Sequence, residues 1–279
     1  MSLAKTGRGT FFYLEYGSVG PLVYLLHGLT AKCQDWETIP ESLRQEGFRV
    51  FAFDMRGHGK SVKSETGYRP EEHAADIEAC AKFLGHDRFH LVGHSTGGRN
   101  ALFFAGLFPR QALTLIIVDQ TLSADPGSYK KQIETYASYP TPFPDEASLD
   151  RFLQEKYPGR ERMIRFEKGQ FWKDEDGQWD WNFSVQAAVE TQRWGREKAI
   201  HDWLTKVECP VLFVAGGESN YVPSEERAQI ARLISKGRLV AVERAKHAVF
   251  RDNPEGFLKV LVPFLKSSTE VVYPGLSPG

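Results

Sequence analysis

A mostly parallel central sheet flanked by helices and interrupted by one helical insertion is the α/β fold that the sequence predicts, and three observations predict it. Short apolar runs alternate with helical spacing up to Asp119, the alternation resumes after residue 207, and the stretch between keeps neither rhythm. Consecutive strands separated by helices pair in parallel through right-handed crossovers.

Residues 10–16 are aromatic-rich and end at Gly17, a strand that reads as the second arm of a hairpin turning at Gly7-Arg8-Gly9, with little before it to pair. Residues 22–26, Leu-Val-Tyr-Leu-Leu, form a continuous apolar run suited to a strand buried on both faces. It delivers His27-Gly28-Leu29-Thr30 at its carboxyl end, where open α/β sheets place ligands. Helical spacing covers 36–45, and the strand 48–53 empties into Asp54-Met55-Arg56-Gly57-His58-Gly59, where Asp54 and Arg56 read as pins of the loop. Pro70 suits the first turn of a helix running to Leu84. Then come a strand at 89–93, a helix, and a strand at 113–118 that ends at Asp119.

Residues 122–207 hold five of the six tryptophans, Trp172, Trp179, Trp181, Trp194 and Trp203, with Pro140, Pro142 and Pro144, and read as a mainly helical insertion whose aromatics chiefly pack its own core. The sheet resumes with strands at 210–217 and 238–242, separated by a helix at 224–235, and a last helix spans 254–265. The expected division is a core of 1–121 and 208–266, an insertion of 122–207 and a poorly ordered tail of 267–279.

Among 279 residues, 35 basic and 36 acidic side chains leave a net charge of -1, which offers nothing to nucleic acid or an anionic membrane and favours a small-molecule substrate. Cys33, Cys80 and Cys209 are too few and too scattered for a disulfide framework or a metal site, which suits a reducing, cytoplasmic setting. No apolar run approaches the roughly 18 residues of a membrane span, and the start lacks the apolar core of a signal peptide. No metal or organic cofactor is expected, and a monomer or homodimer is.

The chemistry centres on Gly93-His94-Ser95-Thr96-Gly97, between an apolar strand and a helix. A turn this tight strains the serine, needs small flanking residues, and exposes the hydroxyl beside the free N–H groups that open the helix. Serine is a poor nucleophile until a base takes its proton, and that base works best when a carboxylate fixes its tautomer. Of eight histidines, His247 is the one between the last strand and the last helix. His27 and His94 belong to backbone turns, and His58, His73, His86, His90 and His201 read as surface or capping residues. An acid is expected three residues past Gly217, but Asn220 stands there, and an amide cannot stabilise imidazolium as a carboxylate does. Asp119, 24 residues beyond Ser95 at the end of the next strand, is favoured over Glu218.

With the His27-Gly28 strand end, the Asp-x-Arg-Gly-His-Gly loop, the Ser95 turn and the late His247 in this order, the chain resembles the α/β-hydrolase superfamily from about Thr10 to Leu265. Asn220 and Lys246 depart from the family pattern, and the acid at Asp119 makes the chain similar to a branch with its acid after the sixth strand. That branch includes small carboxylesterases, cofactor-free ring-opening dioxygenases and acetamidomethylene-succinate hydrolases; Glu65-Thr66-Gly67-Tyr68 and Gly98-Arg99-Asn100 resemble the last. The resemblance implies an oxyanion hole from the N–H groups of Leu29 and Thr96, a lid formed by the insertion, and hydrolysis of a small carboxylic ester or activated amide through an acyl-enzyme. Rival readings are a cofactor-free dioxygenase, against which Thr96 counts because that lineage tends to have histidine there, and a ligand sensor with little turnover. The residues expected to meet substrate are His94, Trp36, Trp172 and Arg165. Arg165 lies near Arg160 and Arg162; together they suit a substrate carboxylate or, on the plainer reading, a solvated helix face.

Overall fold

A computed structural model describes residues 2–174 and 176–272 of the chain. The amino-terminal hairpin forms although so little precedes it: β1 (Ser2–Thr6) pairs antiparallel with β2 (Gly9–Tyr16) along all five of its residues. The apolar run becomes β3 (Leu22–Leu26). The helix expected from Trp36 is split, since Cys33–Trp36 is a short 3₁₀ turn, Glu37 has a φ of 51°, and α1 (Ile39–Gln45) starts after it. Next follow β4 (Arg49–Phe53), α2 (Pro70–Leu84), β5 (Phe89–His94), α3 (Thr96–Leu107) and β6 (Ala112–Val118).

Between β6 and the next sheet strand lie α4 (Ser128–Ala137), α5 (Glu146–Lys156), α6 (Glu161–Lys168), a hairpin of β7 (Phe171–Lys173) and β8 (Trp179–Trp181), and α7 (Val185–Arg196). This stretch is therefore helical with one small hairpin, which periodicity over three-residue strands cannot reveal. It carries its own apolar cluster, in which Tyr139, Phe143, Leu149, Leu153, Phe171 and Trp181 are buried and against which Leu29 packs. The chain then closes with β9 (Val211–Gly216), α8 (Ser224–Leu233), β10 (Gly237–Val242), α9 (Val249–Asp252) and α10 (Pro254–Val272). The last helix corrects the expected disorder from Ser267 onward as far as Val272, and the rest of that tail lies outside the described residues.

The eight strands order as β1-β2-β4-β3-β5-β6-β9-β10, antiparallel at β1/β2 and β2/β4 and parallel beyond. Register sets the working edge: Leu26 lies opposite Gly93, His94 opposite Val118, and Val118 opposite Val214. The loops that follow β3, β5, β6 and β9 thus leave the sheet side by side. The two faces carry separate apolar clusters, one under α2 and α3 with Phe89, Phe104 and Ile117, the other under α1 and α10 with Leu25, Val92 and Phe257. Among the described residues no helix is long and apolar enough to cross a membrane.

The five histidines read as surface or capping groups are corrected: His58, His73, His86, His90 and His201 are all buried. Sequence spacing does not register that a hydroxyl stands ready for a ring, as Tyr24 does for His86 and Thr114 for His90, each at 2.8 Å. Asp54 and Arg56 do pin their loop, Asp54 by accepting from the N–H groups of Cys33 and Lys60, Arg56 by a two-pronged pair with Asp76.

Gly97 shows how closely the turn is packed. A Cβ there would meet Leu26 O at 2.3 Å and His27 O at 2.5 Å, both backbone atoms that cannot swing aside. Gly97→Ala is therefore expected to lower unfolding free energy by about 2 kcal/mol or more, read as a drop in the urea midpoint. A midpoint equal to that of the parent would contradict the packing described.

Candidate active site

Ser95 sits between β5 and α3 with φ 51° and ψ -122°, a conformation that L-residues adopt only under constraint. Two hydrogen bonds impose it, Ser95 N–H to Val118 O at 2.8 Å and Arg99 N–H to Ser95 O at 3.1 Å. Asp119 shares the feature, with φ 45°, and its N–H donates to Val214 O at 2.7 Å.

The Asp119 carboxylate is fully buried, where an unsatisfied charge would cost several kcal/mol. Three donors satisfy it. Gly216 N–H reaches Oδ1 at 3.0 Å, the Ser219 hydroxyl reaches Oδ2 at 2.6 Å, and His247 Nδ1 lies 2.9 Å from Oδ2. A carboxylate acceptor makes Nδ1 the protonated nitrogen of His247 and leaves Nε2 with its lone pair free to act as a base. His94 donates from Nε2 to the His247 carbonyl at 2.9 Å, so it braces the histidine loop from below. The Tyr221 ring lies 4.2 Å from the His247 ring.

Ser95 and His247 line one cavity of about 400 Å³, together with Leu29, Trp36 and His94. No hydrogen bond joins the Ser95 hydroxyl to His247 among the described residues, and such contacts commonly tighten only around substrate. Thr96 opens α3 directly after Ser95. Neither the Leu29 nor the Thr96 N–H is spent on another group among the described residues.

The rest of the predicted set is placed elsewhere. Glu218 is exposed on the loop after β9, tied only through its N–H to Ala245 O. Arg165 is exposed and outside the cavity lining, whereas Phe166 and Glu167 line it; neighbours on a helix point roughly 100° apart. Trp172 is likewise outside, beneath the Lys63 ammonium at 4.2 Å, because Phe171 takes the buried face of β7 and alternate strand residues face opposite ways. Arg160 and the backbone of Arg162 belong to the same region, and the Arg162 side chain lies outside what is described. Sequence reasoning missed Ser219, Tyr221, Tyr136, Glu167, Gln170 and Gln192; the hydroxyl of Ser219, one residue before the anomalous Asn220, was the one available signal.

Two neutral histidines hold the loop after β3. His27 donates from Nδ1 to Gly28 O at 2.7 Å and accepts the Met55 N–H on Nε2 at 2.9 Å. His58 donates to Arg56 O at 3.0 Å and accepts the Thr30 N–H at 3.2 Å. Each ring needs one bare nitrogen, and burial agrees, lowering His27 to about 4 and His58 to about 3.

A strained serine at the mid-sheet strand end, beside the loops after β3 and β6, defines the class of the fold and site: a hydrolase built on an α/β sheet. The chain belongs to the alpha/beta hydrolase fold family, whose family model matches residues 21–254. It is 30% identical over 262 residues to the 2-(acetamidomethylene)succinate hydrolase of Mesorhizobium japonicum, covering 93% of this chain and 92% of that one. It is 28% identical to the N-formylmaleamate deformylase of Pseudomonas putida, covering 91% of each. A crystal structure of an E-2-(acetamidomethylene)succinate hydrolase superposes with a TM-score of 0.80 at 29% identity, over 95% of this chain and 98% of the other. The chain is thus an enzyme of a hydrolase family.

The histidine pair makes the loop acid-sensitive. From pH 6.5 downward the unfolded chain takes up protons that native His58 refuses, so stability falls as pH falls, by about 1.4 kcal/mol per unit for each such ring. In urea titrations at pH 7 and pH 5, His58→Gln is expected to lose about 2 kcal/mol less than the parent between the two. Equal losses would show that His58 does not titrate in this way.

Proposed function

We propose that the protein is a serine hydrolase that cleaves a small carboxylic ester or amide through an acyl-enzyme, with Ser95 as nucleophile, His247 as general base and Asp119 as the acid that orients it. The observation that carries this reading is the 2.9 Å contact between His247 Nδ1 and the buried Asp119 carboxylate, beside a cavity that Ser95 and His247 both line. His247 Nε2 takes the Ser95 proton as Oγ attacks the carbonyl carbon. The N–H groups of Leu29 and Thr96 receive the oxyanion, each worth about 3 kcal/mol to the transition state. Imidazolium then protonates the leaving group, and water activated by the same nitrogen releases the acid. In this reading residues 122–207 are the lid over a core of 1–121 and 208–266, and His94 and Trp36 bound the substrate space. The relatives named for acetamido and N-formyl compounds support an N-acyl bond as the target.

Ser95→Ala is expected to lower kcat on p-nitrophenyl acetate by about 10⁵-fold and to abolish labelling by a fluorophosphonate. Asp119→Asn should cost about 10⁴-fold in kcat, while Glu218→Gln, at an exposed site, stays within about twofold of the parent. A loss confined to the Glu218 variant would transfer the acid's role there.

A further inference from the structure

The cavity's wall on the insertion side carries one carboxylate, that of Glu167, among its described lining residues. Glu167 and Gln170, at the end of α6, both line it. Glu167 has lost part of its hydration, and its replacement is the Tyr139 hydroxyl, which donates at 3.1 Å and lies 2.9 Å from the Tyr157 hydroxyl, with the Lys156 charge acting from beyond them. Among the described side chains no cation lies within ion-pair distance of Glu167; Lys156 is held over the Tyr139 ring at 4.0 Å and donates to Ser138. Gln170 is buried, and its amide nitrogen faces Phe166 O at 3.4 Å, which sets the orientation of the amide. Among the described residues its Oε1 has no partner, and it is shut off from solvent, so an arm in the cavity reaches it only when the Gln170 side chain turns.

Among the described lining residues Arg251 is the one arginine, and it is paired with Glu37 at 3.0 Å and donates to Asp35 O at 3.1 Å. Arg99 and Arg196, buried and facing no carboxylate among the described residues, stand off the lining; Arg99 donates to Thr191 O and Arg196 lies over the Tyr221 ring. Arg165 is exposed and outside the lining, so among the described residues no pair of arginines faces the cavity.

We propose that Glu167 and Gln170 form a specificity subsite for a substrate arm that donates hydrogen bonds or carries positive charge, and that the cavity selects against an arm ending in a carboxylate. The proposal rests on the Ser95 reading and deepens it by naming the substrate class. It also separates this chain from its relatives named for succinate and maleamate compounds. A donor arm that turns Gln170 gains its oxygen as an acceptor, a cation meets the Glu167 carboxylate, and a carboxylate meets repulsion in a site where water screens little.

The test uses p-nitrophenyl esters of equal-length acyl chains ending in carboxamide, trimethylammonium, methyl or carboxylate. A second set carries the same ends on the alcohol side, and fluorophosphonate titration counts active sites in every preparation. The expected order of kcat/KM in one of the sets is carboxamide and trimethylammonium above methyl and carboxylate last, with about tenfold between extremes, carried by KM. Glu167→Gln should compress the trimethylammonium-to-carboxylate ratio by about tenfold, and Gln170→Leu should lower the carboxamide-to-methyl ratio. If a variant fails to fold, salt tests the parent, since raising ionic strength must shrink the charged ratio. Equal or better turnover of the carboxylate esters in both sets, or ratios that salt and both variants leave unchanged, would overturn the subsite while labelling keeps the Ser95 reading. Absence of labelling and of any turnover would overturn both.

Discussion

The buried Asp119 carboxylate is the constraint on which the rest of the site depends. It sits at the end of β6 and takes hydrogen bonds from Gly216 and Ser219 after β9 and from His247 after β10. One charge therefore ties three strand ends together, and parallel register brings those ends to a single edge. The ring of His247 is 40% exposed, so the solvent-free partner is the carboxylate and the solvent-facing one is the histidine. A buried charge satisfied from three directions resists displacement, because losing any donor leaves part of its desolvation cost uncompensated. In the proposed mechanism that rigidity keeps Nε2 of His247 bare and aimed at the cavity.

Much of this was legible from residues alone, and the reasons differ by element. The apolar runs of β3, β5, β6 and β9 are buried on both faces and have no polar alternation to confuse with a helix. Ser95 and Asp119 were readable because strand ends in a parallel sheet are determined by where apolar runs stop. Asn220 was informative as an absence: it turned the reading to the next strand end, where the Asp119 carboxylate lies against His247. Arg165 and Trp172 were not readable, because their exclusion from the cavity turns on a single step of helix rotation or strand alternation within short elements. The buried histidines were missed for another reason. Polar rings enter a core only with specific partners such as Thr114 and Tyr24, distant in sequence and near only after folding.

The side of the cavity that carries the loop after β3 is organised by the opposite electrostatic device. Asp119 is held as a charge, whereas His27 and His58 are held as neutral rings whose bare nitrogens accept the N–H groups of Met55 and Thr30. A protonated ring has no lone pair to accept with, so burial that keeps them neutral also preserves these bonds. The result is that Thr30 N–H is consumed, Ala31 N–H turns back to Gly28 O at 3.3 Å, and the Leu29 N–H is left over.

The 122–207 segment meets the core at the same place. Lys32 donates to Gly169 O at 2.7 Å, Gly59 N–H to Asn182 O at 2.7 Å, and Ser184 N–H to Gly57 O at 2.7 Å, so the loops after β3 and β4 are fastened to the residues just after α6 and just after β8. Those fastenings position Tyr136, Glu167 and Gln170 across the cavity from Ser95. The core thus supplies a reacting edge whose geometry is held by backbone bonds and one buried charge, and the insertion supplies side chains whose only constraint is to fill its own aromatic cluster and present acceptors inward. Change at Glu167 or Gln170 need not disturb the first, because among the described residues the hydrogen bonds that join the two, such as Gly59 to Asn182 O, Gln186 to Glu65 O and Arg99 to Thr191 O, use neither side chain. Substrate choice can therefore vary on α6 without altering the geometry that places Ser95, His247 and Asp119.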